Sequence, residues 1–468
     1  MTTRFFHDKH SKGFHDVPLG HILWMLVIRV TSMAFVASAC LIFIKCKNEI
    51  VQPQDFSFSL NVDDVSCAEV WLDVHLGSAV QPRTVQIWRE TCVTGVLTLS
   101  APDTTLVDTA LLPGKAYTYH AVRLDGTSVL GSTSVVQAIT LDTTSGNFTF
   151  AKETLKGSAS SILYDVALVN DTLAYAVGQA YGYDSLGQGD PYPYCLAKWD
   201  GQSWRLLRLY FLNSNRQLTM ITVPIQGVYA FGPTDVWLAP GSVFHWNGSD
   251  SLTELSFNRL TLADRFATVI RLWGSSDSDM FGVGDAGTIV HYDGTSWRTI
   301  SSGTTLQLVD IYGATNMQTG QRQILAVGTE NYPGDRAILS ISSITASLLP
   351  TNPIQYELFG VWFVPNRHYY VVGSGVYEKS SLVETAWHNN PLDITRYGTT
   401  KMRGNGLNDV FVVGAYGELL HYNGMRWKSF RDVTGLDNGS YASVAVKGNL
   451  IIAVGANNND AIVTVGRR

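Results

Sequence analysis

The sequence predicts an all-β fold: a β-sandwich followed by a seven-bladed β-propeller, behind an N-terminal hydrophobic helix. Three observations predict it. Only 15% of the 468 residues are charged, while 42 are glycine. An average soluble domain carries about 25% charge, so this balance suits turn-rich sheets and argues against helical bundles and disordered chains. Short runs of alternating apolar and polar residues fill residues 51–143, as half-buried strands do. From residue 147 onward a pattern recurs, at steps of 41–45 residues from Gly284 on, the period of a four-stranded propeller blade.

The first element is residues 1–46, a signal or anchor segment. Residues 20–28 and 30–44 are apolar, interrupted by Arg29 and followed by Lys45, Cys46 and Lys47. The second run is short for a membrane span and right for a signal h-region, and an uncleaved anchor over 20–44 is the alternative. Ala37-Ser38-Ala39-Cys40 looks like a bacterial lipobox, and Cys46 stands where the chain turns polar. Cys40 and Cys46 are therefore the lipidation candidates. Either outcome places the bulk of the chain on the exported side of the membrane, in the cell envelope.

Net charge is −6, from 33 basic and 39 acidic residues, with no basic run. A nucleic-acid surface needs a basic stripe to displace counterions, so nucleic acid is excluded as a partner. The five cysteines contain no C-x-x-C pair, so no zinc ribbon is expected. Neither a metal nor a cofactor is predicted.

The second element is a sandwich over residues 51–143. Ala68–Val74 and Arg83–Trp88 alternate inward and outward, and the runs Val96–Leu99, Thr105–Val107, Leu111–Val122 and Ser134–Thr140 follow. About seven short strands in such a length make two packed sheets. The stretch Leu111-Leu112-Pro113-Gly114-Lys115-Ala116-Tyr117-Thr118-Tyr119 resembles the fibronectin type III domain. That resemblance implies that Tyr117 closes a tyrosine corner by bonding upstream backbone. No RGD triplet is present, so integrin binding is not implied. Cys67 and Cys92 can pair in an oxidising compartment or remain as two small hydrophobes.

The third element is the repeat, residues 147–468. Each copy has an apolar strand, a turn, a β-run ending Val-Gly, a further β-run and then [Asp/Asn]-Gly-x-x-Trp. The clearest copies are Leu272–Trp297 and Asn408–Trp427. The Val-Gly glycines are Gly178, Gly284, Gly328, Gly373, Gly414 and Gly455, and Asp235–Pro240 is a further copy without one. Seven first-strand cores follow: Val166, Val228, Leu272, Ile311, Val361, Met402 and Val444. The last copy lacks a fourth strand, while Asn147–Lys152 is a lone strand before the first. Pairing strand 147–152 with the last copy would complete the ring and remove its open edge. A single twisted sheet has two apolar faces and cannot fold alone; stacked in a ring, neighbours bury both. [Asp/Asn]-Gly belongs in the turn before the fourth strand, where positive φ is needed. Trp204, Trp297 and Trp427 behind it are expected to pack.

The propeller resembles secreted bacterial propellers with sialidase-type or photosystem-assembly-factor-type repeats. The sialidase Asp-box is S-x-D-x-G-x-x-W; here the Asp-to-Trp spacing is one shorter and His291 replaces the serine. The whole chain is similar to an uncharacterised bacterial secreted family with a fibronectin-like domain and a propeller, on the stretches Val361–Gly373 and Pro391–Tyr397. Members of that family often carry a glucosyl transferase label, which the residues here do not support. Asp277-Ser278-Asp279 has the letters of a metal-binding DxD, yet Asp279 aligns with Asp235 and Asp409 in the turn between first and second strands. No phosphate-binding glycine loop accompanies it.

Arg271 and Arg403 lie on first strands, with Asp165, Asp310 and Lys401 in the column of Arg271. Ion pairing around the channel is the expectation. His245, His291 and His421 share one third-strand position in separate blades, too far apart for one ion, and are expected to bond the adjacent turn. Tyr229, Trp273, Tyr312 and Trp362 form a further first-strand column with Arg403 in register. They either pack or form a binding face at a propeller mouth. The insertion 179–195, with Tyr181 and Tyr183, is the candidate ligand lid. The predicted binding residues are thus Tyr229, Arg271, Trp273, Tyr312, Trp362, Arg403, Tyr181 and Tyr183, and no catalytic residue is assigned. The function expected is binding or scaffolding: recognition of a protein or glycan at the envelope by a membrane-tethered protein. The alternative is a glycosidase or glycosyltransferase with its site at the mouth. Carboxylates from two or more blades converging in one funnel within hydrogen-bond reach would favour the enzyme; Asp165, Asp310 and their neighbours all bonded locally would remove its support.

Overall fold

The computed structural model describes residues 27–29, 58–78, 80–155, 157–212, 215, 217–249, 268–330, 334–389 and 394–468. The anchor segment and both lipidation candidates, Cys40 and Cys46, lie outside the described residues. Of the apolar run 20–44 only Val27–Arg29 is described; it is a short strand, not part of a helix, and pairs with Thr105–Val107. Among the described residues, no helix is long and apolar enough to cross a membrane.

The described residues are almost entirely antiparallel sheet and divide into two compact units, the larger of which takes in Ile139–Arg468. In the smaller unit one sheet runs in the order Val27–Arg29, Asp103–Asp108, Val70–Leu76, Phe58–Val65. The other runs Cys92–Thr98, Thr84–Arg89, Ala116–Asp125, Ser128–Ser132, with Val136–Ile139 also on Ala116–Asp125. Alternation is visible in Val70–Leu76, where Val70, Leu72, Val74 and Leu76 are buried. Tyr119, two residues beyond Tyr117, is fully buried, and its hydroxyl donates to Asp108 Oδ2 at 2.8 Å. Arg89 donates to the same carboxylate at 3.0 Å. Burial and the adjacent Asp108 carboxylate push the Tyr119 hydroxyl far above its ordinary range. Cys67 and Cys92 are free thiols, the first buried and the second exposed.

Among the described residues the larger unit contains seven successive sheets of three or four strands, with a two-stranded ribbon, Tyr210–Leu212 and Leu218–Met220, between the first and second. Sheet one is Ile162–Asn170, Leu173–Ala180, Tyr194–Trp199 and Trp204–Leu207. Sheet two is three-stranded: Gly227–Gly232, Asp235–Ala239 and Phe244–Trp246. Sheets three to six begin at Val269–Ser276, Gln307–Thr315, Leu358–Val364 and Thr399–Gly406, and each has four strands in sequence order. Sheet seven is Gly439–Lys447, Leu450–Asn457 and Asp460–Arg467, and its outer strand is Thr149–Leu155 from the start of the unit. The register runs from Thr149 opposite Arg467 to Leu155 opposite Ala461. The first strand of each sheet touches that of the next, and the seventh touches the first.

Between every two neighbours lies one hydrophobic cluster. Leu450, Ile452 and Val463 of sheet seven meet Leu163, Ala174 and Trp199 of sheet one. Val372 and Val376 of sheet five meet Met402, Val412 and Leu420 of sheet six. Each fully buried aliphatic side chain contributes roughly 1.5–3 kcal/mol. No sheet is stable without the two beside it.

The Val-Gly signature has a steric cause. Near its start the first strand carries a bulge, for example between Val269 and Arg271 and between Thr399 and Lys401. The bulge presses its backbone onto the second strand. A Cβ on Gly284 would lie 1.7 Å from the Thr268 carbonyl oxygen, and one on Gly414 would lie 2.1 Å from that of Gly398. Sheet two has no bulge at that level, and there Ala239 replaces the glycine opposite Gly227.

The aligned aspartates and histidines turn out to be partners. Asp235 pairs with His245 at 2.7 Å, Asp279 with His291 at 2.7 Å and Asp409 with His421 at 2.9 Å. Asp279 also accepts from Ser275 and Arg322, so the DxD letters are a blade clasp. Burial opposes ionisation of Asp409, but bonds from His421, Arg468 and Asn405 hold its carboxyl below the ordinary range. His421→Ala is expected to cost about 1–3 kcal/mol, the penalty for a buried acceptor losing a partner. His245→Ala should cost less, because that pair is about a third exposed. Denaturant unfolding of the two variants checks the order.

Candidate functional site

First strands are the inner edges of their sheets. Their backbone groups on the axis side have no further strand to pair with, so side chains must serve them. The residues on either side of each core position share the sheet face opposite to it, because side chains alternate along a strand. The position before the core holds Asp165, Gly227, Arg271, Asp310, Gly360, Lys401 and Ser443, and the one after holds Ala167, Tyr229, Trp273, Tyr312, Trp362, Arg403 and Ala445. All of these but Gly227, Gly360 and Ser443 line a cavity of about 280 Å³.

Six of the eight predicted binding residues line it: Tyr229, Arg271, Trp273, Tyr312, Trp362 and Arg403. Tyr181 and Tyr183 do not. They lie on the connection from second to third strand of sheet one. That connection leaves where Gln179 pairs with Ile162, the start of the first strand, whereas the cavity reaches Leu168 towards its end. The insertion is held on itself: Asp184 Oδ1 accepts from the Leu186 and Gln188 amides at 2.9 and 2.8 Å. Arg208 stacks on Tyr194 at 4.2 Å. It does not cover the cavity.

The charged residues bind the inner edges together. Asp310 is fully buried and accepts from Lys401 Nζ at 2.5 Å, from Arg403 at 2.9 and 3.1 Å, and from the Val361 amide at 3.0 Å. Burial alone would raise its carboxyl; Arg403 and Lys401 overcome this and hold it down at about 2. A Cβ at Gly360 would lie 3.0 Å from the Thr400 oxygen and 3.2 Å from Lys401 Cα. The glycine thus lets sheet six approach and bring both cations to Asp310 of sheet four. Asp165 accepts from the Val228 amide at 3.2 Å and the Ser443 hydroxyl at 2.7 Å. Arg271 donates to the carbonyls of Gln226 and Ile270, the latter at 2.9 Å. The expected ion pairing therefore holds for Asp310, Lys401 and Arg403, while Asp165 and Arg271 take neutral partners.

The aromatic column is half packing, half lining. Trp273 and Trp362 are 7% and 2% exposed. Their rings lie over Gly313 and Gly404 of the next sheet, where a Cβ would come within 2.5 and 2.9 Å. Tyr229 and Tyr312 are half-buried. The Tyr229 hydroxyl donates to the Gly274 carbonyl at 2.8 Å, and burial pushes it up to about 12. Arg403 lies over the Tyr312 ring at 5.4 Å. Sequence reasoning missed Asp310 as the buried hub and Gly360 as the gap that feeds it; the gap was legible as a glycine between Asp310 and Lys401 in a column with four charged members.

No protein-family model matches the chain, and no curated protein matches it. Among solved structures it is similar to YCF48 bound to D1 peptide, with a TM-score of 0.50 and 14% identity, over 68% of this chain and 97% of that one. YCF48 from Cyanidioschyzon merolae aligns with a TM-score of 0.48 and 12% identity, over 67% of this chain and 98% of that one. The WD40 β-propeller domain of Doa1 aligns at 0.45 and 13%, over 69% and 98%. The likeness to YCF48 bound to D1 peptide, over about two thirds of the chain, shows a β-propeller fold.

Proposed function

We propose that the seven sheets are the seven blades of one closed propeller, latched by Thr149–Leu155, and that its axial cavity is a binding site. The chain serves as an exported, membrane-tethered recognition or scaffolding protein at the cell envelope. In this reading its anchor is the segment 1–46 and its smaller unit a fibronectin type III-like sandwich. The observation that carries the reading is convergence: six residues from five blades, chosen for binding chemistry, line one cavity. That YCF48 has been solved with a D1 peptide supports a protein segment as the ligand class for such a fold.

The hydrolase alternative needs carboxylates free to act on substrate. Asp165 and Asp310 reach the cavity, but the oxygens of each are engaged by neighbouring first strands. A tyrosine nucleophile is no better placed, since Tyr229 ionises only near 12. The arrangement holds and orients.

Site-specific photocrosslinking tests this. A photoreactive residue at Tyr312 should capture an envelope protein in cells, and the same probe at exposed Val129 of the smaller unit should not. Equal capture from both positions refutes the site. Mass spectrometry of the mature N-terminus tests the tether: lipid on Cys40 or Cys46, or an intact apolar segment, is expected, and a cleaved, unmodified chain refutes it.

A further inference from the structure

We propose that the axial cavity recognises a carboxylate carried by a peptide, with Arg271 as its principal partner beside Lys401 and Arg403. This rests on the mouth being the binding site and adds the chemistry of its ligand.

The charges lining the cavity do not balance. Among the described residues three cations line it, Arg271, Lys401 and Arg403, against two carboxylates, Asp165 and Asp310. Asp310 is shared between Lys401 and Arg403. The hydrogen bonds of Asp165 come from a backbone amide and a serine hydroxyl. Among the described residues Arg271 donates only to carbonyl oxygens, and its buried Nε has no hydrogen-bond partner there. A half-buried guanidinium with neutral partners and an idle, buried Nε is poorly compensated. A carboxylate in the cavity would supply the missing charge to the guanidinium.

The three cations also share one space. Burial lowers the Lys401 ammonium to about 8, and the nearby Arg403 and Arg271 push it in the same direction against the pull of Asp310 and Asp165. Arg271 likewise favours ionisation of Tyr164 against its burial. An entering anion lowers the repulsion at all three groups at once.

A peptide fits better than a sugar. Stacking on a sugar needs an open ring face, and the Trp273 and Trp362 faces are covered by the next sheet. A cavity of about 280 Å³ lies at the bottom of the range for small-ligand pockets, roughly 300–1,000 Å³. It takes a side chain or a chain end, not an oligosaccharide.

The test uses the full chain and a library of pentapeptides in free-acid and C-terminally amidated forms. Binding is read by tryptophan fluorescence and calorimetry. Amidated peptides carrying one Glu, each matched with its Gln counterpart, separate a side-chain carboxylate from a chain end. Trigalacturonic acid is the sugar arm. We expect carboxylate-bearing peptides to bind at least tenfold tighter than their neutral partners, with affinity falling as salt rises. Arg271→Gln should abolish that preference, and Arg271→Lys should retain part of it, with melting curves recorded for both. Equal binding of charged and neutral peptides, or a preference untouched by Arg271→Gln, overturns the proposal while leaving the mouth as a site. Trigalacturonate bound in preference to every peptide overturns it in favour of an acidic sugar. Silence from all the probes overturns it together with the reading it rests on. The wild-type comparison of acid and amide decides the matter even where an Arg271 variant fails to fold.

Discussion

Asp310→Asn is expected to destabilise the larger unit by about 3–5 kcal/mol, the usual consequence of breaking a buried ion pair by removing one partner. The change is isosteric, so packing is preserved and the effect is electrostatic. Lys401 and Arg403, 4% and 21% exposed at their side chains, are left facing each other with only the through-space pull of Asp165. The Val361 amide also exchanges a carboxylate acceptor for a weaker amide oxygen. For a domain of this size the melting temperature should fall by roughly 10 °C. Adding Lys401→Met removes one stranded cation and should recover part of the loss, a coupling that a double-mutant cycle measures. If Asp310→Asn melts with the wild type, the hub does not stabilise the ring.

The same hub sets a pH dependence, with the sign fixed by the shifts. Asp310 titrates near 2 in the fold and near 3.9 when unfolded. Its contribution is therefore complete above about 4 and is lost as pH falls through 2. In the Asp310→Asn variant the lysine dominates instead. Lys401 titrates well below its unfolded value of about 10.4, so between the two values the unfolded chain binds more protons and stability rises with pH. Without the Asp310 charge that raises it, Lys401 titrates below the value of about 8 it has in the wild type, so the variant should begin to recover below pH 8 and go on recovering to pH 10. Arg403 keeps its charge throughout. Thermal melts across pH 5–10 would show the recovery, and a flat difference from wild type would contradict the assignment.

Much of this was legible in the residues, and for a physical reason. A ring of like sheets imposes the same environment at the same step, so core, glycine and turn positions repeat as columns. The cores from Val166 to Val444 and the turn glycines, such as Gly294 at φ +88° and Gly424 at φ +95°, are read off that way. Convergence of Tyr229, Arg271, Trp273, Tyr312, Trp362 and Arg403 followed from the columns too, because one column means one radius from the axis. Contacts between columns were not legible. The histidine column and the aspartate column were each visible, yet their pairing depends on how a third strand folds back on a turn a dozen residues away. Tyr181 and Tyr183 were misjudged as a lid because composition says nothing of which end of a sheet a loop leaves. The reach of Lys401 across sheet five to Asp310 depends on a missing side chain at Gly360, a property of space rather than of pattern.

Deletion of Thr149–Leu155 is expected to have the other large effect, lowering the melting temperature by roughly 10 °C or more and promoting association. The strand pairs along its whole length with Asp460–Arg467. Leu155 is buried in the cluster that joins sheets seven and one, and Phe150 packs on Phe148 and Phe430 at 5.9 and 5.1 Å. Burial of such side chains contributes roughly 1.5–3 kcal/mol each. Without the strand, Asp460–Arg467 becomes an open edge, ready to pair with another chain. The decisive control moves the strand rather than removing it. Thr149 lies opposite Arg467, so the segment 147–155, appended after Arg468 through a short turn, can return as the second arm of a hairpin. That rearranged chain should melt near the wild-type temperature and stay monomeric, because the pairing is kept while its chain connection changes. A deletion variant as stable as the wild type, or a rearranged chain no better than the deletion, would show that the strand decorates sheet seven and does not lock the ring.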